Sequence, residues 1–183
     1  MEIKRCEWAG NDPLYVAYHD NEWGKPIHDD RLLFEFLILE GMQAGLSWIT
    51  ILKKREAFRA AFDNFEPEIV ANYDSSKIEE LMLNSGIVRN RRKIESTVKN
   101  AGLFLEIQEK YGSFDKFIWS YVGEPIVNHP VSAADVPATS GLSDKISRDL
   151  KKLGFSFVGS TIIYSFMQAI GMVNDHIDGC SFK

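Results

Sequence analysis

The two cysteines of the chain lie near its opposite ends, and each has a histidine within short reach. His176 and Cys180 form a His-x3-Cys pair, and Cys6 precedes His19 in the N-terminal segment. Two cysteines and two histidines make a complete tetrahedral ligand set for zinc, and residues at i and i+4 share one side of a helical turn. We therefore expect one structural Zn²⁺ that ties the two termini together. A buried thiol with ordinary histidines is the alternative.

One carboxylate, Glu40, lies near the end of the otherwise apolar run LILEG. A glutamate there is commonly exposed, whereas a buried one needs hydrogen bonds or a shifted pKa. Trp48 follows a glycine-flanked loop after it. Further aromatic residues lie in the N-terminal region: Trp8, Tyr15, Tyr18 and Trp23. They are either core residues or a slot for a flat, electron-poor ring, in which the carboxylate accepts N–H donors.

A short glycine-containing turn, LNSGIV at 83–88, separates two helical patterns and precedes a basic run at 89–93. Such a turn can offer backbone N–H groups and a helix N-terminus to a phosphate, to which basic side chains add attraction. The turn is thus a candidate for binding the phosphates of the DNA backbone. A plain helix–helix turn with a solvated basic face is the alternative.

The elements that must position these residues are predicted to be helices. Apolar residues recur mostly at three and four positions, which predicts an all-α fold of roughly eight to ten helices and no strand. Helix starts are predicted at Asn11 or Asp12, at Asp29 or Asp30, at Ser47 and at Ser113. The proline-rich stretch 122–141 is predicted to be a surface loop.

Composition limits the class of protein. The chain has 183 residues, 45% of them hydrophobic, which suffices for one core or two lobes. A net charge of −5 argues against a nonspecific nucleic-acid coat but allows a local basic face. Because the chain shows neither a bilayer-length apolar run nor a signal peptide, we expect a cytoplasmic protein.

Several segments together resemble the bacterial 3-methyladenine DNA glycosylase I family, over nearly the whole chain. They are DPLYVAYHDNEWG, LEGMQAGLSWITILKKRE, GIVRNRRKI, GFSFVGSTIIYSFMQAIGMVNDH and the terminal cysteine and histidine set. The resemblance implies a helix–hairpin–helix glycosylase fold in a single catalytic unit, 1–183. It implies two lobes, with the helix–hairpin–helix lobe at about 35–125 and the two terminal segments packed as a zinc-stapled lobe.

The resemblance also implies the partners and the site residues. It implies a bacterial monomer that acts on double-stranded DNA with alkylated adenine, releases free 3-methyladenine, and uses structural zinc but no organic cofactor. The implied base pocket consists of Trp8, Tyr15, Tyr18, Glu40 and Trp48, with Glu40 as the essential acid. The implied DNA-binding residues are Gly45, Leu46, Asn84, Ser85, Gly86, Val88, Arg91 and Lys93. The chain lacks the catalytic Asp that many superfamily members place after the hairpin. It also has no lysine at an obvious nucleophile position, so we expect no lyase activity.

Three other interpretations remain open at this point. The first is a zinc-stapled module that senses alkylated bases without releasing them. The second is a glycosylase of another specificity, for example for 7-methylguanine or oxidised purines. The third is an unrelated all-α small-molecule enzyme, for which the basic hairpin would be accidental.

Overall fold

Helices make up most of the molecule in the computed structural model, which describes residues 3–183. The nine α-helices of this part are α1 (Pro13–Asn21), α2 (Asp30–Gln43), α3 (Trp48–Ala61), α4 (Pro67–Val70), α5 (Ser75–Leu83), α6 (Arg91–Tyr111), α7 (Phe114–Trp119), α8 (Gly141–Lys152) and α9 (Ser160–Ala169). Three 3-10 turns lie at Glu7–Ala9, Asp63–Phe65 and Ala133–Asp135. The prediction of a mainly helical fold is confirmed. Over residues 3–183, no helix has both the length and the apolar character needed to cross a bilayer.

Most of the predicted helix starts are true caps. The side chains of Asp12, Asp29 and Ser113 each accept a backbone N–H two or three residues ahead, at 2.9–3.0 Å. Such caps satisfy donors that the first helical turn leaves unpaired. Ser47 does precede α3, but its hydroxyl bonds the hydroxyl of Thr50 at 2.7 Å instead of a backbone N–H.

The expectation of no strand is wrong in one place. Two-residue strands β1 (Ile126–Val127) and β2 (Val173–Asn174) pair in parallel. The pair is too short to show the alternation by which a strand is recognised in sequence. It fixes the 122–141 loop against the C-terminal segment that carries His176.

Helix α2 is the centre of the molecule. Every residue from 33 to 42 is buried, and α2 packs against α3, α6, α7 and α9. A helix that is apolar on all sides belongs in a core, yet this one carries two carboxylates into it. The carboxylate of Glu35 binds Arg55 and Arg59 at 2.7 and 2.8 Å. Burial opposes this charge, but the two arginines lower the pKa of Glu35 below its ordinary value. Glu40 has no such partner among residues 3–183.

Candidate active site

A cavity of about 280 Å³ brings together all five residues predicted for the base pocket: Trp8, Tyr15, Tyr18, Glu40 and Trp48. The rings of Tyr18 and Trp48 lie 5.5 Å apart between centroids, and those of Trp8 and Tyr15 lie 5.0 Å apart. The aromatic residues come from the N-terminal segment and from the start of α3, and the acid comes from α2. The cavity is near the small end of the range for ligand pockets, roughly 300–1,000 Å³, so it suits one flat ring better than a nucleotide.

Glu40 is the unusual group of this cavity. Glu40 is only 3% exposed, so the alternative of a solvent-facing glutamate is wrong. Its Oε2 atom is buried and has no hydrogen-bond partner within residues 3–183. Burial raises the pKa of Glu40 to about 8, because nothing nearby compensates for the lost hydration of the charge.

Two neighbours of Glu40 strengthen the polar character of the cavity wall. The indole Nε1 of Trp48 is a buried donor that also has no acceptor in the described part of the chain. Burial, with a further effect of Glu40, raises the pKa of the Tyr18 phenol well above its ordinary value, so the hydroxyl stays protonated. Buried polar atoms are normally paired, so an unpaired donor and acceptor in one cavity are typical of a binding site.

Sequence reasoning missed half of the cavity wall. The additional lining residues are Trp23, Gln43, Ala133, Val136, Ser165 and Gln168. Trp23 belongs to the N-terminal aromatic group, but the resemblance does not assign it to the pocket. Ala133 and Val136 belong to the 122–141 loop, whose sequence carries no signal for this location. Ser165 and Gln168 are polar residues one turn apart on the apolar helix α9, and that spacing is a signal that could have identified them.

The predicted metal ligands meet in a second cluster. The ligand atoms of Cys6, His19 and Cys180 all lie within 4.8 Å of one another and are buried. The His176 ring lies 4.8 Å from the His19 ring, between centroids, and its Nε2 is buried without a hydrogen-bond partner in residues 3–183. An orphaned imidazole nitrogen beside two free thiols and a second imidazole fits a thiophilic tetrahedral ion.

Partners outside this cluster orient both imidazoles. The Nδ1 of His19 lies 2.7 Å from a carboxylate oxygen of Asp20, and that of His176 lies 2.8 Å from the amide oxygen of Asn174. Because these oxygens accept an N–H, each Nε2 keeps a lone pair, and that of His19 also accepts the backbone N–H of Cys6 at 3.3 Å. Imidazoles that bind metals are usually oriented in this way.

Hydrogen bonds and packing hold the turn between α5 and α6. The side chain of Asn84 accepts the backbone N–H of Gly86 at 2.9 Å, and Ile87 is buried beneath the turn. The ammonium of Lys54, on α3, donates to the carbonyl oxygens of Ser85 and Gly86 at 3.2 and 3.3 Å. Two helices, α5 and α6, are therefore joined by a short turn at the predicted position, with Ser85 exposed.

Lys93 is not placed to contact DNA, which corrects its prediction. Lys93 is only 8% exposed, and its Nζ donates to the carbonyl oxygens of Met42 and Ala44 at 2.8 Å each. The charge thus serves the C-terminal end of α2, where free carbonyls attract cations. Arg91 remains exposed, although it pairs with Glu79.

The other predicted DNA-contacting residues lie at the surface. Leu46 is 42% exposed, and Gly45 is exposed with a φ of +82°, a conformation that glycine adopts freely. Asn84, Gly86 and Val88 are in the turn before α6 and are at least partly exposed. Both loops therefore lie at the surface.

Comparisons with known proteins agree with this geometry. The sequence model of the methyladenine glycosylase family matches residues 8–183. The chain is 49% identical to DNA-3-methyladenine glycosylase 1 of Escherichia coli strain K12 over 179 residues, 97% of this chain and 96% of that one. It is similar to a crystal structure of 3-methyladenine DNA glycosylase I, with a TM-score of 0.95, 51% identity and coverage of 97% and 98%.

A further solved structure is that of 3-methyladenine DNA glycosylase I from Staphylococcus aureus, which was described for its recognition of 3-methyladenine. Its TM-score is 0.94, with 42% identity and coverage of 98% of this chain and 96% of that one. Family model, sequence identity and fold agree over nearly the full length. This chain belongs to the methyladenine glycosylase family and is therefore a glycosidase.

Proposed function

We propose that this enzyme flips N3-methyladenine out of alkylated double-stranded DNA and hydrolyses its N-glycosidic bond, leaving an abasic site. The observation that carries the proposal is the buried Glu40 in the wall of a small aromatic cavity, whose Oε2 has no hydrogen-bond partner in the described part of the chain. Similar proteins named for 3-methyladenine support the identity of the base. We place the enzyme in the bacterial cytoplasm as a monomer.

Selectivity follows from charge. Methylation at N3 gives adenine a positive charge, and a cation over an indole face such as that of Trp48 gains about 1–2 kcal/mol once desolvated. An unpaired carboxylate is costly to ionise in the empty cavity, and a cationic base offsets that cost. Glu40 therefore ionises as the base enters, accepts its N–H donors and favours the methylated ring over ordinary adenine.

Catalysis needs little more than this recognition. N3-methylation makes the base a good leaving group, so the N-glycosidic bond is already weakened. Flipping costs a few kcal/mol, and less for a damaged pair. Water then attacks the oxocarbenium-like sugar. We expect no lyase activity, because the amine nearest the hairpin on α6, that of Lys93, is held by two backbone carbonyls.

DNA binding is assigned to the two exposed loops. We propose that residues 84–88, as the hairpin of a helix–hairpin–helix unit, bind phosphates together with Arg91. Gly45 and Leu46 lie near the gap left by the flipped base. We further propose the two-lobe division of the sequence, with the helix–hairpin–helix lobe at about 35–125 and the terminal segments as the second lobe.

We propose one structural Zn²⁺ held by Cys6, His19, His176 and Cys180. The orphaned Nε2 of His176 and the mutual proximity of the other three ligands support it. Four protein ligands leave no open position for water, so the ion stabilises the joined termini and takes no part in the hydrolysis.

Base release from methylated duplex DNA tests the proposed function. Purified enzyme is incubated with DNA that contains 3-methyladenine and 7-methylguanine, and free bases are identified by chromatography. We expect release of 3-methyladenine with little 7-methylguanine. Release of 7-methylguanine or oxidised purines instead would favour a glycosylase of other specificity. Binding to alkylated DNA without any release would favour the damage sensor.

A further inference from the structure

Gln168 is a cavity residue whose amide orientation is fixed by its surroundings. It lies on α9 and lines the same cavity as Glu40. Its Nε2 donates to a carboxylate oxygen of Asp175 at 2.8 Å. A carboxylate oxygen of this kind accepts hydrogen bonds, so the nitrogen end of the amide must face Asp175. The carbonyl end of Gln168 must therefore face away from it.

Asp175 is itself held in place by two further donors. Asp175 is 1% exposed. Its carboxylate accepts hydrogen bonds from the hydroxyl of Tyr164 and from the amide nitrogen of Asn128, both at 2.7 Å. Burial and the bond to Asp175 raise the pKa of Tyr164, so its hydroxyl remains a donor. With three donors around one buried carboxylate, the amide of Gln168 has a single favourable orientation.

The carbonyl oxygen of Gln168 has no donor of its own among residues 3–183. Together with Glu40, it gives the cavity wall a second side-chain acceptor. An adenine ring presents an exocyclic amine, which donates, where guanine presents a carbonyl, which accepts. A fixed acceptor therefore attracts the first base and repels the second, and leaving an acceptor unpaired costs further affinity.

We propose that Gln168 is a specificity-determining residue that selects bases with an exocyclic amine at this position, and that Asp175 is the positioning residue that turns its carbonyl oxygen toward the base. The inference rests on the proposed function and adds a second recognition group to Glu40. It explains how the enzyme would distinguish 3-methyladenine from 3-methylguanine, which carries the same methyl group.

The test measures both bases in one reaction. DNA methylated to contain 3-methyladenine and 3-methylguanine is treated with wild-type enzyme and with Gln168→Met, which keeps the side-chain length but removes the acceptor. We expect kcat/KM for 3-methyladenine to fall about tenfold, the equivalent of one hydrogen bond to a charged base. The ratio of 3-methyladenine to 3-methylguanine release should fall by a similar factor.

A matched control is Gln108→Met, the same substitution at a glutamine that also donates to an aspartate, Asp30, but does not line the cavity. Its release ratio should equal that of wild type. An unchanged ratio in Gln168→Met would overturn the inference, whatever happens to the total rate. A wild-type enzyme that releases no methylated base would instead contradict the proposed function, so the two failures are distinguishable.

Discussion

Replacement of Glu40 by glutamine should stabilise the ligand-free enzyme, and increasingly so as the pH rises. The pKa of Glu40 is raised from 4.5 to about 8 by burial. The folded state therefore binds the proton more tightly than the unfolded state, so Glu40 costs nothing below pH 4.5 and destabilises the fold progressively up to pH 8. The glutamine amide of the variant does not titrate and keeps nearly the same shape.

The magnitude follows from the same pKa values. At about 1.4 kcal/mol per pH unit, the free energy of unfolding of the variant minus that of wild type should grow by roughly 2–3 kcal/mol between about pH 5 and pH 7. This difference should level off near pH 8. Only the change of this difference with pH is compared, so any effect of the substitution on the free energy of unfolding that does not depend on pH cancels.

Urea unfolding at several pH values, with both proteins loaded with metal, measures this difference. A matched control is Glu35→Gln, a substitution of the other buried acid of α2. It breaks the ion pairs with Arg55 and Arg59 of α3 and should destabilise the fold near neutral pH. A difference between Glu40→Gln and wild type that stays constant from about pH 5 to pH 8 would refute the reasoning that Glu40 is an uncompensated buried acid.

Further predictions concern the metal, the stacking residue and the DNA-facing surface. His176→Ala should lose zinc and folding stability together, as measured by metal analysis and thermal unfolding; a metal-free variant of full stability would exclude the staple. Trp48→Ala should weaken binding of free 3-methyladenine by about 5–30-fold, in a competition assay, if stacking supplies about 1–2 kcal/mol. Lys93→Met should destabilise the fold by about 1.5–3 kcal/mol but leave the salt dependence of DNA binding unchanged. Arg91→Ala should reduce that salt slope by about 1, and an unchanged slope would count against a phosphate contact.

The sequence predicts most of the helices because their caps and periodicity are local. It also predicts that Cys6, His19 and Cys180 lie close together, because two cysteines and two histidines form a complete tetrahedral ligand set. It fails for Lys93, where the basic run alone suggests a solvated charge. The carbonyls that Lys93 binds belong to Met42 and Ala44, which are distant in the chain. No local pattern reports such a contact.

The difference between the two buried acids of α2 is equally hidden in the sequence. Glu35 and Glu40 lie on one helix with similar neighbours, yet arginines from α3 reach only the first. The part of the cavity wall formed by Ala133 and Val136 depends on how the 122–141 loop folds back. These features are set by tertiary packing, which propensity and periodicity do not encode.

The cavity has a consequence for how the enzyme is made on the ribosome. Its wall combines Trp8 with Gln168 of α9, which the ribosome adds much later. Trp8 therefore emerges long before Gln168, and the pocket is incomplete until α9 has been made. Vectorial synthesis normally lets N-terminal units fold first, but no early unit here can acquire the pocket. Translation that stops before α9 should yield chains unable to hold a damaged base, so recognition is tied to the synthesis of α9.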